Sequence, residues 1–255
     1  MAPPGDGDLP PLRHVGRMGG RLPVWLESRA PLESLRLRRD PVFSGDGLPH
    51  GDGQPVLLVP GFLAGDSSLS TMRDWLRRLG YQPELPGFAI NVRYSEAELK
   101  TVLLRLVDLY GWMGQPVTLV GHSRGGLLAK VAAQRHGEMV GQVITLGSPL
   151  ADPFDVHPFT MASVRMAQVF NLVWYGQRGG VERRFLRDLA APARVPLTSV
   201  YSRSDGIVHW QACVRPDATC VEVDGSHVGL AVNPQVYALL ARALAAPGRP
   251  PSTTG

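Results

Sequence analysis

The run Gly121-His122-Ser123-Arg124-Gly125-Gly126 sets a serine between glycines in the pattern G-x-S-x-G. An apolar stretch, Val117-Thr-Leu-Val120, stands before it and a helical pattern, Arg124–Arg135, follows. That context is the one in which the pattern places a serine on a sharp strand-to-helix turn with its hydroxyl raised above a sheet. So tight a turn imposes strained backbone angles and leaves no room for a Cβ at Gly121 or Gly125. A serine held in this way can attack an acyl carbon once a neighbouring base takes its proton. The N–H of Arg124, at the start of the helix, would then point at the oxyanion that forms. A second donor is expected from the loop Val59-Pro60-Gly61-Phe62-Leu63, where the N–H of Phe62 is the natural choice. The alternative is a simple glycine turn, against which the flanking strand and helix argue.

The chain has seven histidines to serve as base. His14 and His50 lie in loose segments, His122 precedes the serine, His136 ends a helix, His157 falls in an insert, and His209 follows a candidate acid. His227, in Gly225-Ser-His-Val-Gly-Leu230, comes directly after the last strand and before the last helix. A parallel sheet delivers loops of that kind to its carboxyl edge, where ligands bind. An acid is expected after a strand between serine and histidine, in the chain order Ser, Asp or Glu, His. Asp205 fits, in the turn Ser202-Arg-Ser-Asp-Gly206 beyond the strand Val195–Tyr201. Asp224 is the rival, only three residues from His227 on the same loop, and Asp217 sits in a surface turn. The acid's task would be to hold the imidazole tautomer and support the imidazolium.

These residues require a particular scaffold. Pro55–Pro60 is a continuous apolar run, as in a strand buried on both faces. A helix over about 70–79, a strand near 81–85, a capping box at Ser95–Glu98 opening an apolar helix that ends at Gly111, and strands over 117–120, 142–146, 197–201 and 220–223 follow. Asn233-Pro234 opens a last helix through Leu244. Alternation on this scale predicts an α/β fold, a mostly parallel sheet with helices on both faces. One domain over 21–245 is expected, with loose Pro- and Gly-rich tails at 1–20 and 246–255 and no internal repeat. Residues 21–39 read as an amphipathic helix interrupted by Pro31.

Composition excludes several other classes. The 255 residues are 44% hydrophobic and 19% charged, as in an ordinary globular core. The net charge of +4 comes almost wholly from scattered arginines, with no stripe or patch for nucleic-acid phosphates. Nothing approaches a membrane-spanning run or a secretion signal, so the chain as written reads as cytoplasmic, a secreted mature form being the alternative. Contact with an interface would then be transient, and oligomeric state is left open. Cys213 and Cys220 lie close enough to pair, and unpaired thiols are the preferred reading.

Taken together, the Val-Pro-Gly-Phe loop, the Gly-His-Ser-Arg-Gly-Gly elbow, Leu-Gly-Ser-Pro after the next strand, Tyr-Ser-Arg-Ser-Asp-Gly-Ile-Val and Gly-Ser-His-Val-Gly-Leu resemble bacterial lipases and carboxylesterases of the α/β-hydrolase fold. The resemblance spans about 54–244. It implies hydrolysis of carboxylic esters, small or lipid-like, through an acyl-enzyme on Ser123, His227 and Asp205, without metal or cofactor. An acyltransferase or thioesterase would use the same residues, and an inactive hydrolase fold holding an apolar ligand is the reading outside enzymes. Arg124 departs from the Met or Gln that many lipases carry after the serine, and residues 1–50 lack the early strands of fuller members. The segment 151–194 exceeds a single crossover helix. Its apolar excess suggests a short helical lid or insert, with Phe170, Val173 and Trp174 lining a substrate pocket beside Leu63, His122, Val208 and Val228.

Overall fold

Six strands form one sheet in a computed structural model that describes residues 24–158 and 180–245. They are β1 (Pro55–Val59), β2 (Gln82–Glu84), β3 (Val117–His122), β4 (Val140–Leu146), β5 (Leu197–Tyr201) and β6 (Thr219–Glu222). All pairings are parallel, in the order β2-β1-β3-β4-β5-β6. The expected mostly parallel sheet with helices on both faces is therefore present.

Side chains alternate across a strand, so a strand buried on both faces feeds two cores. Val56 and Leu58 of β1 join Val120, Ile144 and Val200 under the helices Ser70–Arg78 and Pro234–Ala245. Leu57 and Val59 face the other way, with Leu119, Val143 and Leu197, under the helices Ser95–Met113 and Arg124–Arg135. In the first core Trp75 lies against Tyr237 with ring centroids 4.6 Å apart, and its indole N–H donates to the Val42 carbonyl at 2.9 Å. A buried indole is tolerated because its one polar atom is satisfied.

Several boundaries differ from expectation. The helix read as capped at Ser95 takes Tyr94 as its N-cap, passes through Gly111 and stops at Gly114. A mid-helix glycine costs only about 1 kcal/mol against alanine, whereas Gly114 supplies the left-handed φ of 66° that ends a helix. Pro31 does not break the N-terminal helix; it sits in the first turn of Ala30–Arg39, directly after a 3₁₀ turn over Val24–Arg29. The piece around 181–189 is a crossover helix, Gly180–Ala190, and it buries Phe185 and Leu189 in the second core. Of the expected insert, residues 159–179, with Phe170, Val173 and Trp174, lie outside the described residues, as do both tails. No described helix is long and apolar enough to cross a membrane.

Candidate active site

Parallel pairing brings the loops after β1, β3, β4, β5 and β6 to one edge of the sheet, and the candidate residues stand there. Ser123 is the turn between β3 and the helix Arg124–Arg135, with φ 54° and ψ −125°. Few L-residues adopt a positive φ, and here the surroundings enforce it. Ser123 N–H donates to Leu146 O at 2.8 Å, locking the turn to the end of β4. A Cβ at Gly121 would overlap the Gly126 backbone, one at Gly125 the Val59 carbonyl, and one at Gly126 the Ser148 hydroxyl. Three glycines around one serine thus answer three different neighbours.

Asp205 and His227 form a buried pair at the same edge. Nδ1 of His227 lies 2.7 Å from Oδ2 of Asp205, and the two residues are 5% and 2% exposed. The other carboxylate oxygen accepts the N–H groups of Ile207 (2.8 Å) and Val208 (2.7 Å), which fixes the carboxylate plane. Since a carboxylate only accepts here, Nδ1 carries the hydrogen and Nε2 keeps the lone pair. Burial alone would depress the imidazole pKa, but the Asp205 charge and hydrogen bond, with Glu27, outweigh it and raise the value above the ordinary histidine. Asp224 is exposed, and its N–H donates to the Gln235 side-chain oxygen at 2.9 Å. Asp217 is paired with Arg215, which holds its carboxyl at about 2 against the opposing effect of burial.

The loop after β1 packs directly on the serine. A Cβ at Gly61 would stand 3.0 Å from Ser123 Cβ. Phe62 follows, then Leu63 in the left-handed region at φ 59°. Asn91, fully buried, braces this loop: its side-chain NH₂ donates to Pro60 O (2.9 Å), its carbonyl takes the Leu63 N–H (3.0 Å), and its N–H donates to Ala64 O (2.9 Å). Oδ1 of Asn91 in turn accepts from the Arg124 guanidinium at 2.6 Å, and that guanidinium also donates to Arg93 O and lies over the Phe62 ring. The residue that departs from the lipase pattern therefore has a definite post. Through Asn91 and the Phe62 ring, Arg124 links the start of its helix to the loop after β1.

Among the expected pocket residues, Leu63 and Val228 are half exposed at this edge. Val208 is buried with Ala212 and Cys213 in a small separate core, and its N–H donates to Asp205. His122 is likewise buried, its Nε2 2.9 Å from the carbonyl oxygen of His227. A carbonyl can only accept, so that nitrogen bears the hydrogen. Burial, reinforced by the neighbouring His227, lowers the His122 pKa to about 4 and keeps the ring neutral. Cys213 and Cys220 are free thiols, and burial pushes the Cys213 thiol well up.

Sequence reasoning missed four supports. Gly147, with φ 57° after β4, lets the backbone pass beside the pair; a Cβ there would sit 3.1 Å from His227 Nδ1 and 3.2 Å from Asp205 Oδ2. The motif Leu-Gly-Ser-Pro carried that signal, but without a role attached. Asn91, Glu27 and Glu33 had no signal at all. Glu33 accepts the Ser226 N–H (2.8 Å) and hydroxyl (2.6 Å) just before His227.

Residues 94–210 match a family described as the PGAP1-like alpha/beta domain, a stretch that takes in Ser123 and Asp205 and ends before His227. A GPI inositol-deacylase of Candida albicans is 43% identical over 58 residues, 22% of this chain and 15% of that relative's length. The mature form of a Bacillus licheniformis lipase superposes with a TM-score of 0.57 at 17% identity, covering 78% of this chain and 94% of the other. An alpha/beta hydrolase from a sediment metagenome of the Mar Chica lagoon, Morocco, gives 0.53 at 22% identity, covering 76% and 90%. At these identities the structural likeness is one of fold.

Proposed function

We propose that this chain, which shares the fold of α/β hydrolases, is a serine hydrolase that cleaves carboxylic esters through Ser123, His227 and Asp205. The observation that carries this reading is a conjunction at one sheet edge. A serine in a strained left-handed turn stands with a buried histidine whose Nδ1 is 2.7 Å from a carboxylate. In this reading Nε2 of His227 takes the Ser123 proton as Oγ attacks the ester carbonyl. The N–H groups of Phe62 and Arg124 receive the oxyanion, and the protonated imidazole returns its proton to the leaving alcohol. Water then repeats the sequence on the acyl-enzyme. Asp205, held by two backbone N–H groups, supports the imidazolium without being protonated itself. The raised His227 pKa implies that activity falls away on the acid side at a pH above the ordinary imidazole value.

The half-exposed Leu63 and Val228 follow Phe62 and His227 in the chain and offer apolar contact to an acyl group. The short likeness to a deacylase supports an acyl ester as the scissile bond. A fluorophosphonate probe tests the assignment: it should label the wild type, and peptide mapping should place the adduct on Ser123. Ser123→Ala should fold normally, resist labelling and lose ~10⁴–10⁶-fold in hydrolysis of p-nitrophenyl esters. Undiminished labelling of that variant would overturn the assignment.

A further inference from the structure

The N-terminal 3₁₀ turn, outside both the elbow and the matched family stretch, reaches into the site with one side chain. Oε1 of Glu27 accepts the N–H groups of Gly206 (3.0 Å) and His227 (2.9 Å), and Oε2 accepts the N–H of Val228 (2.9 Å). Gly206 is the neighbour of Asp205, and the other two belong to the base loop. These partners lie 179 to 201 residues away in sequence. One half-buried carboxylate thus spans both loops near their tips. At their bases the loops are joined by the Ser202 hydroxyl, which donates to Gly225 O at 2.7 Å.

We infer that Glu27 is a positioning residue, whose carboxylate fastens the acid loop to the base loop and so sets the orientation of the His227 ring; this rests on the hydrolase reading above. Three observations converge on it. First, the backbone of His227 is held at both ends, its N–H by Glu27 and its carbonyl by His122 at 2.9 Å. With the backbone pinned, the ring keeps only the side-chain torsions that the Asp205 bond then fixes. Second, the site needs an acceptor and no donor. All three partners are N–H groups, so both oxygens must accept, and a charged carboxylate makes such bonds shorter and stronger than a neutral amide does. Third, the charge has a place in the proposed chemistry. Among the described residues, the titratable groups facing His227 are Asp205 from the turn after β5, His122 from β3 and Glu27, with Glu33 reaching the same loop through Ser226. His122 stays neutral in its buried site, so Glu27 is the carboxylate that adds to Asp205 when the imidazolium forms.

Glu27→Gln is the sharp probe. It keeps the shape but turns an NH₂ group against at least one backbone N–H and removes the charge. The rate of phosphonate labelling at Ser123 should be measured from pH 4 to 9 in the wild type, Glu27→Gln and Glu27→Asp, beside melting temperatures. Glu27→Gln is expected to label about 10- to 100-fold more slowly at the optimum, the loss of a charged hydrogen-bond set. Its acid limb should move to lower pH, because the imidazolium has lost a nearby negative charge. Glu27→Asp restores the charge, so its limb should return towards the wild type although the shorter side chain leaves the rate reduced. A role in fold stability alone would lower the melting point of both variants and leave the limb where it was. Wild-type rate and limb in Glu27→Gln overturn the inference while leaving the hydrolase intact. If Glu27→Gln melts early, Glu27→Asp carries the comparison, and a wild-type rate there overturns it equally. A wild-type chain that does not label at all overturns the hydrolase reading, and this inference with it.

Discussion

The two halves of the site are built in different ways. The half proposed to hold the nucleophile is local: β3, the turn at Ser123 and the following helix form one continuous run, and its geometry is enforced by exclusion. Any Cβ at Gly121 or Gly125 would enter space already held by backbone. The half proposed to hold the acid and base is assembled at long range. Asp205 fixes its own carboxylate through Ile207 and Val208, but the His227 loop takes its shape from Glu27 and Glu33, on an N-terminal segment about two hundred residues away. Exclusion is unforgiving of added atoms, whereas a hydrogen-bonded frame weakens bond by bond. Atoms added at the glycines of the first half should therefore appear as lost stability, and bonds removed from the second as lost rate or a modest loss of stability.

The strongest challenge to that contrast is Asp205→Asn. If the acid–base half works as proposed, kcat should fall about 10³–10⁴-fold, because the amide cannot stabilise the imidazolium and favours the wrong tautomer. The melting temperature should stay near the parent. Gly125→Ala makes the opposite demand: its methyl would press on the Val59 carbonyl, and a loss of at least ~3 kcal/mol in denaturant unfolding is expected. A well-folded Gly125→Ala chain with ordinary stability would show that the elbow is not held by exclusion. Glu33→Gln should cost less, about 1–3 kcal/mol, since Ser226 N–H and its hydroxyl lose a charged acceptor in a buried place. Smallest of all is Asp224→Asn, at an exposed site, which should leave stability within ~0.5 kcal/mol and kcat within about twofold. A steady-state comparison in which Asp224→Asn hurts more than Asp205→Asn would reverse the choice of acid.

The sequence by itself determined the parts whose reasons are local. The run Pro55–Val59 is apolar at every position because β1 is buried on both faces, and G-x-S-x-G betrays the turn because only glycine fits beside Ser123. Chain order and strand position then sufficed to prefer Asp205 over Asp224 as the acid to be tested. The N-terminal helix shows where this stops. Its leucines and tryptophan read as an amphipathic helix, yet Trp25, Leu32 and Leu35 are exposed while Glu33 is buried beside Leu37 on that element, and Glu27 is drawn towards the loop of His227. Val208 shows the same limit: the bond from its backbone N–H to Asp205 is a contact that its side-chain type does not announce. What only the tertiary structure decided is which polar groups face inward. Bringing two loops to one sheet edge leaves the N–H groups of Gly206, Ser226, His227 and Val228 in need of acceptors. That need does not exist in any stretch of the chain alone; it arises when the loops meet, and two distant carboxylates answer it.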